Sequence, residues 1–273
     1  MTNAEDLEKY ADYLSERELA VQTRQIYLKQ AENFLDFLEG RAVTRKEAID
    51  YKQSLLEQNN KIATNNLYIV ALNSYLKYKG YDDFCIKTRK IQRRQCPDNI
   101  INLNEYKEML MCAKESGRDK YYCIMRTLAL TGIRVSELSG CTVEALETGK
   151  FIICNKGKSR EIYLPEKLVT ELSAYCMQEG ISNGVIFRGN TGKSISRTAV
   201  YKMLTRIADY VGVPKKKAHP HSFRHLFAVT YMQKYSNLFE LADLLGHSSL
   251  ETTRIYTATT AEEKRRKINR LEL

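Results

Sequence analysis

Thr131-Gly132-Ile133-Arg134-Val135-Ser136-Glu137-Leu138 closes a helical period on a glycine and then sets an arginine three residues before a glutamate. Three further polar blocks follow in order. They are His221-Ser222-Phe223-Arg224-His225, Leu244-Leu245-Gly246-His247-Ser248, and Thr252-Thr253-Arg254-Ile255-Tyr256. Between the first and second blocks the periodicity changes. Phe151–Cys154 and Glu161–Leu164 are short β-type runs around Asn155-Lys156-Gly157-Lys158-Ser159-Arg160, which reads as a hairpin with a lysine-bearing turn. The remainder has helical spacing, so the chain is expected to be mainly α with a small β-hairpin.

Before these blocks, the first 80 residues read as four helices. Residues 4–19 are acidic and amphipathic. Thr23 is a candidate cap for a helix from Arg24 to Glu39, with Gly40 as its stop. Thr44-x-x-Glu47 is a capping box for a helix to about Gln58, and Thr64 opens a fourth that Gly80 closes. Lys87, Arg89, Lys90, Arg93 and Arg94 then crowd into eight positions ahead of Pro97. That run reads as a basic interdomain linker, with an ordinary solvated surface run as the alternative. The expected division is an N-terminal helical domain, 1–86, a linker, 87–100, and a second domain, 101–273.

In the second domain Asn104 is a candidate cap for a helix over Glu105–Ser116, and another runs from about Asp119 to Leu130. Helices resume at about 166–179, 197–211, 222–235, 238–245 and 249–256. Thr260-x-x-Glu263 opens a C-terminal helix within 260–273.

The 273 residues suffice for two domains with a sizeable core. The formal charge is +10. Residues 1–95 hold 16 Lys+Arg against 14 Asp+Glu, and the remainder 27 against 19, so the excess lies with the motif blocks. A polyanionic partner is expected. The seven cysteines are odd in number and never spaced C-x-x-C, which argues against a zinc site or a disulfide framework. Charges throughout Met1–Glu18 and the lack of an 18-residue apolar run point to a cytoplasmic chain with no signal peptide and no membrane span.

Two arginines, two histidines and a tyrosine suit attack on a phosphodiester. Its anionic oxygens repel nucleophiles, so fixed cations must surround them, and arginine's planar fork matches phosphate. Histidine moves protons near neutral pH, and tyrosine can form a covalent phosphoester. Taken singly, each residue has an ordinary reading. Arg134 could serve a surface ion pair, His247 a helix cap, and Tyr256 is one of 18 tyrosines. The ordered spacing of all four blocks is what favours the chemical reading. His221 and His225, four apart, also invite a metal, but Ser222 stands where a metalloprotease helix has glutamate, and Arg224 opposes a dication.

On Thr-Gly-Ile-Arg134-Val-Ser-Glu137-Leu, His221-x-x-Arg224-His225, Leu-Leu-Gly-His247 and Tyr256, the chain resembles the tyrosine recombinases, the phage-type integrases related to type IB topoisomerases. The resemblance covers essentially the whole chain. It implies a SAM-like four-helix core-binding domain and a mostly α catalytic domain of the DNA breaking-rejoining type. It assigns Arg134 and Arg224 to the scissile phosphate, Tyr256 to nucleophilic attack, His221 to proton transfer and His247 to a phosphate oxygen. The family's hairpin lysine, the acid for the leaving 5′-oxygen, maps to Lys156, with Lys158 as the alternative. Asn155 replaces a glycine there and one residue of the turn is missing. Glu137 would orient the arginine region and His225 would pack behind the site.

The same resemblance implies a double-stranded DNA partner with a specific recombination site, a homotetramer on two sites and no cofactor. It leaves room for an accessory DNA-bending protein. The setting would be a bacterial cytoplasm and its nucleoid. Lys87, Arg89, Lys90, Arg93, Arg94, Lys158 and Lys215-Lys216-Lys217 are candidate DNA contacts, and residues 260–273 would dock on a neighbouring protomer. The alternatives are a topoisomerase-like nicking and resealing enzyme and a non-catalytic DNA-binding relative.

Overall fold

Left-handed turns and capping side chains set most of the helix ends. The computed structural model describes residues 3–90, 100–155, 158–189, 191–247, 249–257 and 269. Lys156, Arg93, Arg94 and nearly all of the 260–273 helix expected from the sequence lie outside them. The chain divides into two compact units, Met1–Arg93 and Arg94–Leu273. Among the described residues no helix is long and apolar enough to cross a membrane.

The first unit holds α1 (Asn3–Glu16), α2 (Val21–Leu38), α3 (Arg45–Glu57), α4 (Ile62–Tyr78) and a 3-10 turn, Asp82–Phe84. Their inner faces bury Tyr10, Leu14, Phe34, Leu55, Leu72 and Tyr75. Asp6 is drawn into this core because Tyr75 donates to it at 2.5 Å and Lys79 pairs with it at 2.7 Å. Burial alone would raise the Asp6 pKa, but these two partners hold it below 3.8.

Several expected helix starts are displaced. Thr23 does not cap α2. The helix begins at Val21 after Ala20, whose carbonyl accepts from Arg24 N. Thr64 lies inside α4, which opens after Lys61. Helix α1 ends at Glu16, short of residue 19. Thr44 caps α3 through Glu47 N at 3.2 Å, but the Glu47 carboxylate pairs with Arg41 at 2.7 Å, so only half of the expected box forms. The side chains of Lys87, Arg89 and Lys90 are exposed. Their backbone stays on this unit: Lys52 donates to Lys87 O, and Asn66 brackets Arg89 N and O.

The second unit starts with α5 (Leu103–Glu115) and α6 (Asp119–Thr131), then a 3-10 turn, Val135–Gly140, and α7 (Val143–Thr148). Strands β1 (Lys150–Asn155) and β2 (Lys158–Tyr163) pair antiparallel from Lys150↔Tyr163 to Asn155↔Lys158. Helices α8 (Glu166–Gln178), α9 (Arg197–Tyr210), α10 (Pro220–Tyr235), α11 (Leu238–Leu245) and α12 (Leu250–Thr253) follow, with a last 3-10 turn, Arg254–Thr257. The expected helix over 249–256 is thus split in two, and α7 was not anticipated from the sequence. Helix α6 packs on α5, α8 and α10 and buries Ile124, Met125 and Leu128.

Helix α10 begins two residues before the expected start. His219 Nδ1 accepts from Ser222 N at 3.1 Å and Pro220 occupies the first turn, where its missing N–H costs nothing. Helix α5 likewise starts early, because Asn102 and not Asn104 caps it. Asn102 Oδ1 accepts from Asn104 N and Glu105 N at 2.9 Å each, and Glu105 returns a bond to Asn102 N. Removing this box through Asn102→Ala should cost about 1 kcal/mol. Urea unfolding checks it: the midpoint of the second unit should fall while the slope stays unchanged.

Candidate active site

Arg224 is the largest fully buried side chain, 1% exposed. It projects from α10 towards the ends of two other helices. Its Nη1 donates to Gly132 O at 2.7 Å, at the close of α6. Its Nη2 donates to Leu245 O at 2.5 Å, at the close of α11. Both carbonyls lie where helix dipoles end negative, which suits a buried cation. Burial, followed by Arg134 and Arg160, lowers the Arg224 pKa to about 10, so it remains charged at neutral pH.

Gly132 and Gly246 make this reach possible. Each is left-handed, at φ +62°, and stops its helix one residue past the last turn. A Cβ on Gly132 would lie 2.5 Å from the Phe227 ring, and one on Gly246 2.7 Å from the Arg160 guanidinium. The residues following these two glycines deliver Arg134 and His247.

His247 Nε2 lies 3.0 Å from Arg224 Nη2, and its Nδ1 lies 2.8 Å from Thr253 Oγ1. A guanidinium only donates, so Nε2 accepts and the proton sits on Nδ1, which donates to Thr253. Burial, then the repulsion of Arg224 and Arg134, pushes the His247 pKa down to about 4.

Arg134 opens the 3-10 turn and is one-third exposed. Glu137, which is buried, accepts from Arg134 N at 2.7 Å and from Arg134 Nη1 at 3.1 Å. The same carboxylate takes a two-pronged bond from Arg160 on β2, at 3.1 and 2.8 Å. Burial would raise the Glu137 pKa, but these donors overcome it and hold it low. Arg160 and Thr253 were not singled out from the sequence. Arg160 meets Glu137 from 23 residues away and Thr253 meets His247 across a helix boundary, and the only sequence trace of Arg160 is its place at the end of the hairpin motif.

His221 is exposed, with its ring 4.6 Å edge-on from that of His225. Crowding around the ring, then Arg224 and His219, keeps its pKa below 6.5. A cleft of about 380 Å³ beside it is lined by Arg134, Arg197, Tyr201, His219 and His221. His225 is buried and does more than pack. Its Nδ1 lies 2.5 Å from the Tyr256 hydroxyl. Burial, then His221 and His219, lowers the His225 pKa to about 4. Burial raises the Tyr256 phenol to about 12, with Arg224 opposing.

The structure therefore brings Arg134, Glu137, His221, Arg224, His225, His247 and Tyr256 together within one unit. Lys156 lies outside the described residues. Lys158 belongs to β2, on the strand that Arg160 anchors. The 215–217 lysines lie apart, in the segment before α10: Lys215 pairs with Asp209 and Lys217 with Glu105, while Lys216 is exposed. No group of three metal-ligating side chains occurs among the described residues.

The sequence profile of the phage integrase family matches residues 99–263. A tyrosine recombinase of Pseudothermotoga lettingae is 31% identical, over 97% of this chain and 97% of its own. XerA of Pyrococcus furiosus is 27% identical, over 99% and 95%. Among solved structures, XerH site-specific recombinase bound to a palindromic difH substrate, in a post-cleavage complex, gives a TM-score of 0.77 at 21% identity, over 100% of this chain and 85% of that one. A lambda integrase dimer bound to a COC′ core site gives 0.75 at 18%, over 96% and 97%. At these identities the structural likeness establishes the fold.

Two outcomes follow from this electrostatic arrangement. Glu137→Ala leaves Arg160 without its buried partner and should destabilise the second unit by about 3 kcal/mol, the low end for such pairs because Arg134 is partly solvated; chemical denaturation measures it. The second outcome concerns acid. His225 and His247 titrate at about 4 when folded, against an ordinary 6.5. Between those values the unfolded chain binds more protons, so stability is full above 6.5 and falls as pH drops through the window. Thermal unfolding should show Tm declining from pH 7 to pH 4.5, with a shallower decline in His247→Asn.

Proposed function

The chain belongs to the phage integrase family, the tyrosine recombinases, and from that premise we propose that it breaks and rejoins DNA at a specific site with Tyr256 as its covalent nucleophile. The observation that carries the reading is the convergence of four separated sequence blocks on one polar cluster. In it the Tyr256 hydroxyl shares a site with Arg224 and two histidines.

Arg134 and Arg224 hold and neutralise the scissile phosphate. Arg134 offers its solvent-facing edge, while Arg224 supplies a fixed positive field from below. Preorganised charge of this kind needs no rearrangement as negative charge builds at phosphorus. The Tyr256 oxygen attacks, leaving a 3′-phosphotyrosyl bond and a free 5′-hydroxyl. His221 assists the proton transfers, and His247, with its proton moved to Nε2, donates to a phosphate oxygen. Lys156, or Lys158 in the other register of the turn, protonates the leaving 5′-oxygen from the hairpin. The phosphotyrosine conserves the bond, so neither nucleotide nor metal enters the reaction.

The helical unit and the catalytic unit grip the duplex together. Lys87, Arg89, Lys90 and the adjoining Arg93 and Arg94 supply backbone contacts. Four protomers act on two sites through a Holliday junction to integrate, excise or invert DNA, and an accessory DNA-bending protein can shape the site. The 260–273 segment docks on the neighbouring protomer. The enzyme works in the cytoplasm, on the nucleoid. Solved structures of similar fold include XerH recombinase bound to its difH substrate and lambda integrase bound to a COC′ core site, which supports this reading.

A covalent trap tests it. Nicked duplexes tiling the locus that flanks the gene are incubated with wild type and with Tyr256→Phe in chelator, then run on denaturing gels. Protein linked to a DNA 3′ end is expected in wild type alone. An adduct persisting in the Phe variant would name another nucleophile. DNA binding with no adduct from any duplex would favour a non-catalytic relative.

A further inference from the structure

We infer that His225 Nδ1 is the base that takes the Tyr256 proton during strand cleavage and returns it during rejoining. This deepens the function proposed above and rests on Tyr256 being the nucleophile. The resemblance gave proton transfer at Tyr256 to His221 and left His225 a packing role; the geometry divides the histidines differently.

The assignment follows from an accounting of ring nitrogens. His247 has both occupied, Nε2 by Arg224 and Nδ1 by Thr253, so it has no acceptor for the phenol. His221 is exposed and its ring meets the edge of the His225 ring, with no hydrogen bond to the Tyr256 hydroxyl among the described contacts. His225 meets the phenol directly. Its Nδ1 is 2.5 Å from the Tyr256 oxygen, and the two ring centroids are 5.3 Å apart. A base must lie within hydrogen-bond reach of the proton that it abstracts, and here the contact is made without an intervening water.

The surroundings keep this base neutral and weak. His225 is 8% exposed, and Arg224, His219, His221 and His247 all disfavour a second positive charge there. A weak base suffices when proton transfer accompanies bond formation. As the phenol oxygen bonds to phosphorus its proton becomes strongly acidic, and a neutral imidazole accepts it. The step balances: the Tyr256 O–H bond breaks, His225 Nδ1–H and tyrosyl O–P form, and P–O5′ breaks as the leaving oxygen takes a proton from the hairpin lysine. Rejoining reverses each bond, and a crowded imidazolium readily returns its proton to the departing phenolate. A strong base would keep the proton and slow the return.

The experiment is single-turnover adduct formation on whichever nicked flanking duplex traps the wild type. The variants are His225→Ala, His225→Asn and His221→Ala, each with native tyrosine or with 2,3,5-trifluorotyrosine placed at position 256 by codon suppression. Asparagine retains an acceptor oxygen but is no base. Both His225 variants should cleave about 10²–10⁴-fold more slowly, the span of a general base, while gel-shift affinity holds within twofold. The more acidic phenol should recover tenfold or more of that loss in the His225 variants. Cleavage by His225→Asn within threefold of wild type would reduce His225 to an orienting acceptor and overturn the assignment. A fluorine-recoverable loss confined to His221→Ala would return the role to His221.

If the position 225 variants fail to fold, the unmutated histidine still gives an answer. With a base in place, fluorination should change the rate less than threefold, because acidity gained is offset by nucleophilicity lost. A rise of tenfold would mean that the phenol ionises unaided, and would overturn the inference. No adduct from wild type on any duplex would instead strike at the function proposed above.

Discussion

A charged guanidinium buried at 1% exposure is costly unless it is well paired, and among the described residues no carboxylate hydrogen-bonds Arg224. It is held instead through Nη1 and Nη2, by the terminal carbonyls of α6 and α11 and by a histidine nitrogen, while its buried Nε has no hydrogen-bond partner among the described residues. That requirement constrains much of the second unit. Two helices must end beside α10, each must stop on a left-handed glycine, and the residue leaving each stop must turn back towards the same point. Arg134 and His247 are carried there by the geometry that satisfies Arg224. The hydrophobic packing of α6 on α10 and the polar cluster are thus two aspects of one arrangement.

Glu137 extends the constraint to the hairpin. One buried carboxylate bridges Arg134 on the 3-10 turn and Arg160 on β2, and the Arg160 guanidinium in turn packs over Gly246. Three cations and one anion leave the cluster with a net positive charge. It is visible in the lowered pKa values of Arg224, His225 and His247, which burial begins and the neighbouring charges deepen. A site with this excess repels metal cations and favours an anionic phosphate. The strand that bears Lys158 is anchored to the same hub through Arg160.

What the sequence made legible was local chemistry. Gly132 and Gly246 announce helix stops because few other residues take φ +62° without strain. The hairpin was legible from its change of period, and Thr44 from its cap. Helix starts at Val21 and Ile62 were missed because Ala20 and Lys61 make no side-chain cap, so tertiary packing decides where those helices begin, whereas the start at Leu103 carried a local signal, Asn102-x-x-Glu105, that the neighbouring Asn104 obscured. The roles of Arg160, Thr253 and His225 were illegible for a different reason. Each depends on a partner brought close by folding, 23 residues away for Arg160–Glu137 and 31 for Tyr256–His225. The motif gave the residue types at the site, whereas the pairings within it required the fold.

Reversibility explains why the tyrosine is held as it is. An enzyme that must rejoin what it cuts gains little from a phenol held permanently ionised, since a stable phenolate is also a good leaving group and would expose the strand to premature release. Burial keeps the Tyr256 proton in place, at a pKa of about 12, and His225 is too weakly basic to remove it unaided. The Tyr256 ring packs with Ala228, Leu241 and Leu245 of α10 and α11, the helices that also carry His225 and end at Gly246. The Tyr256 phenol therefore rests against the helix that carries both Arg224 and His225. In the proposed reaction attack becomes favourable only when phosphorus arrives to draw the proton off, and because one phosphoester replaces another, cleavage and religation stay nearly balanced in energy.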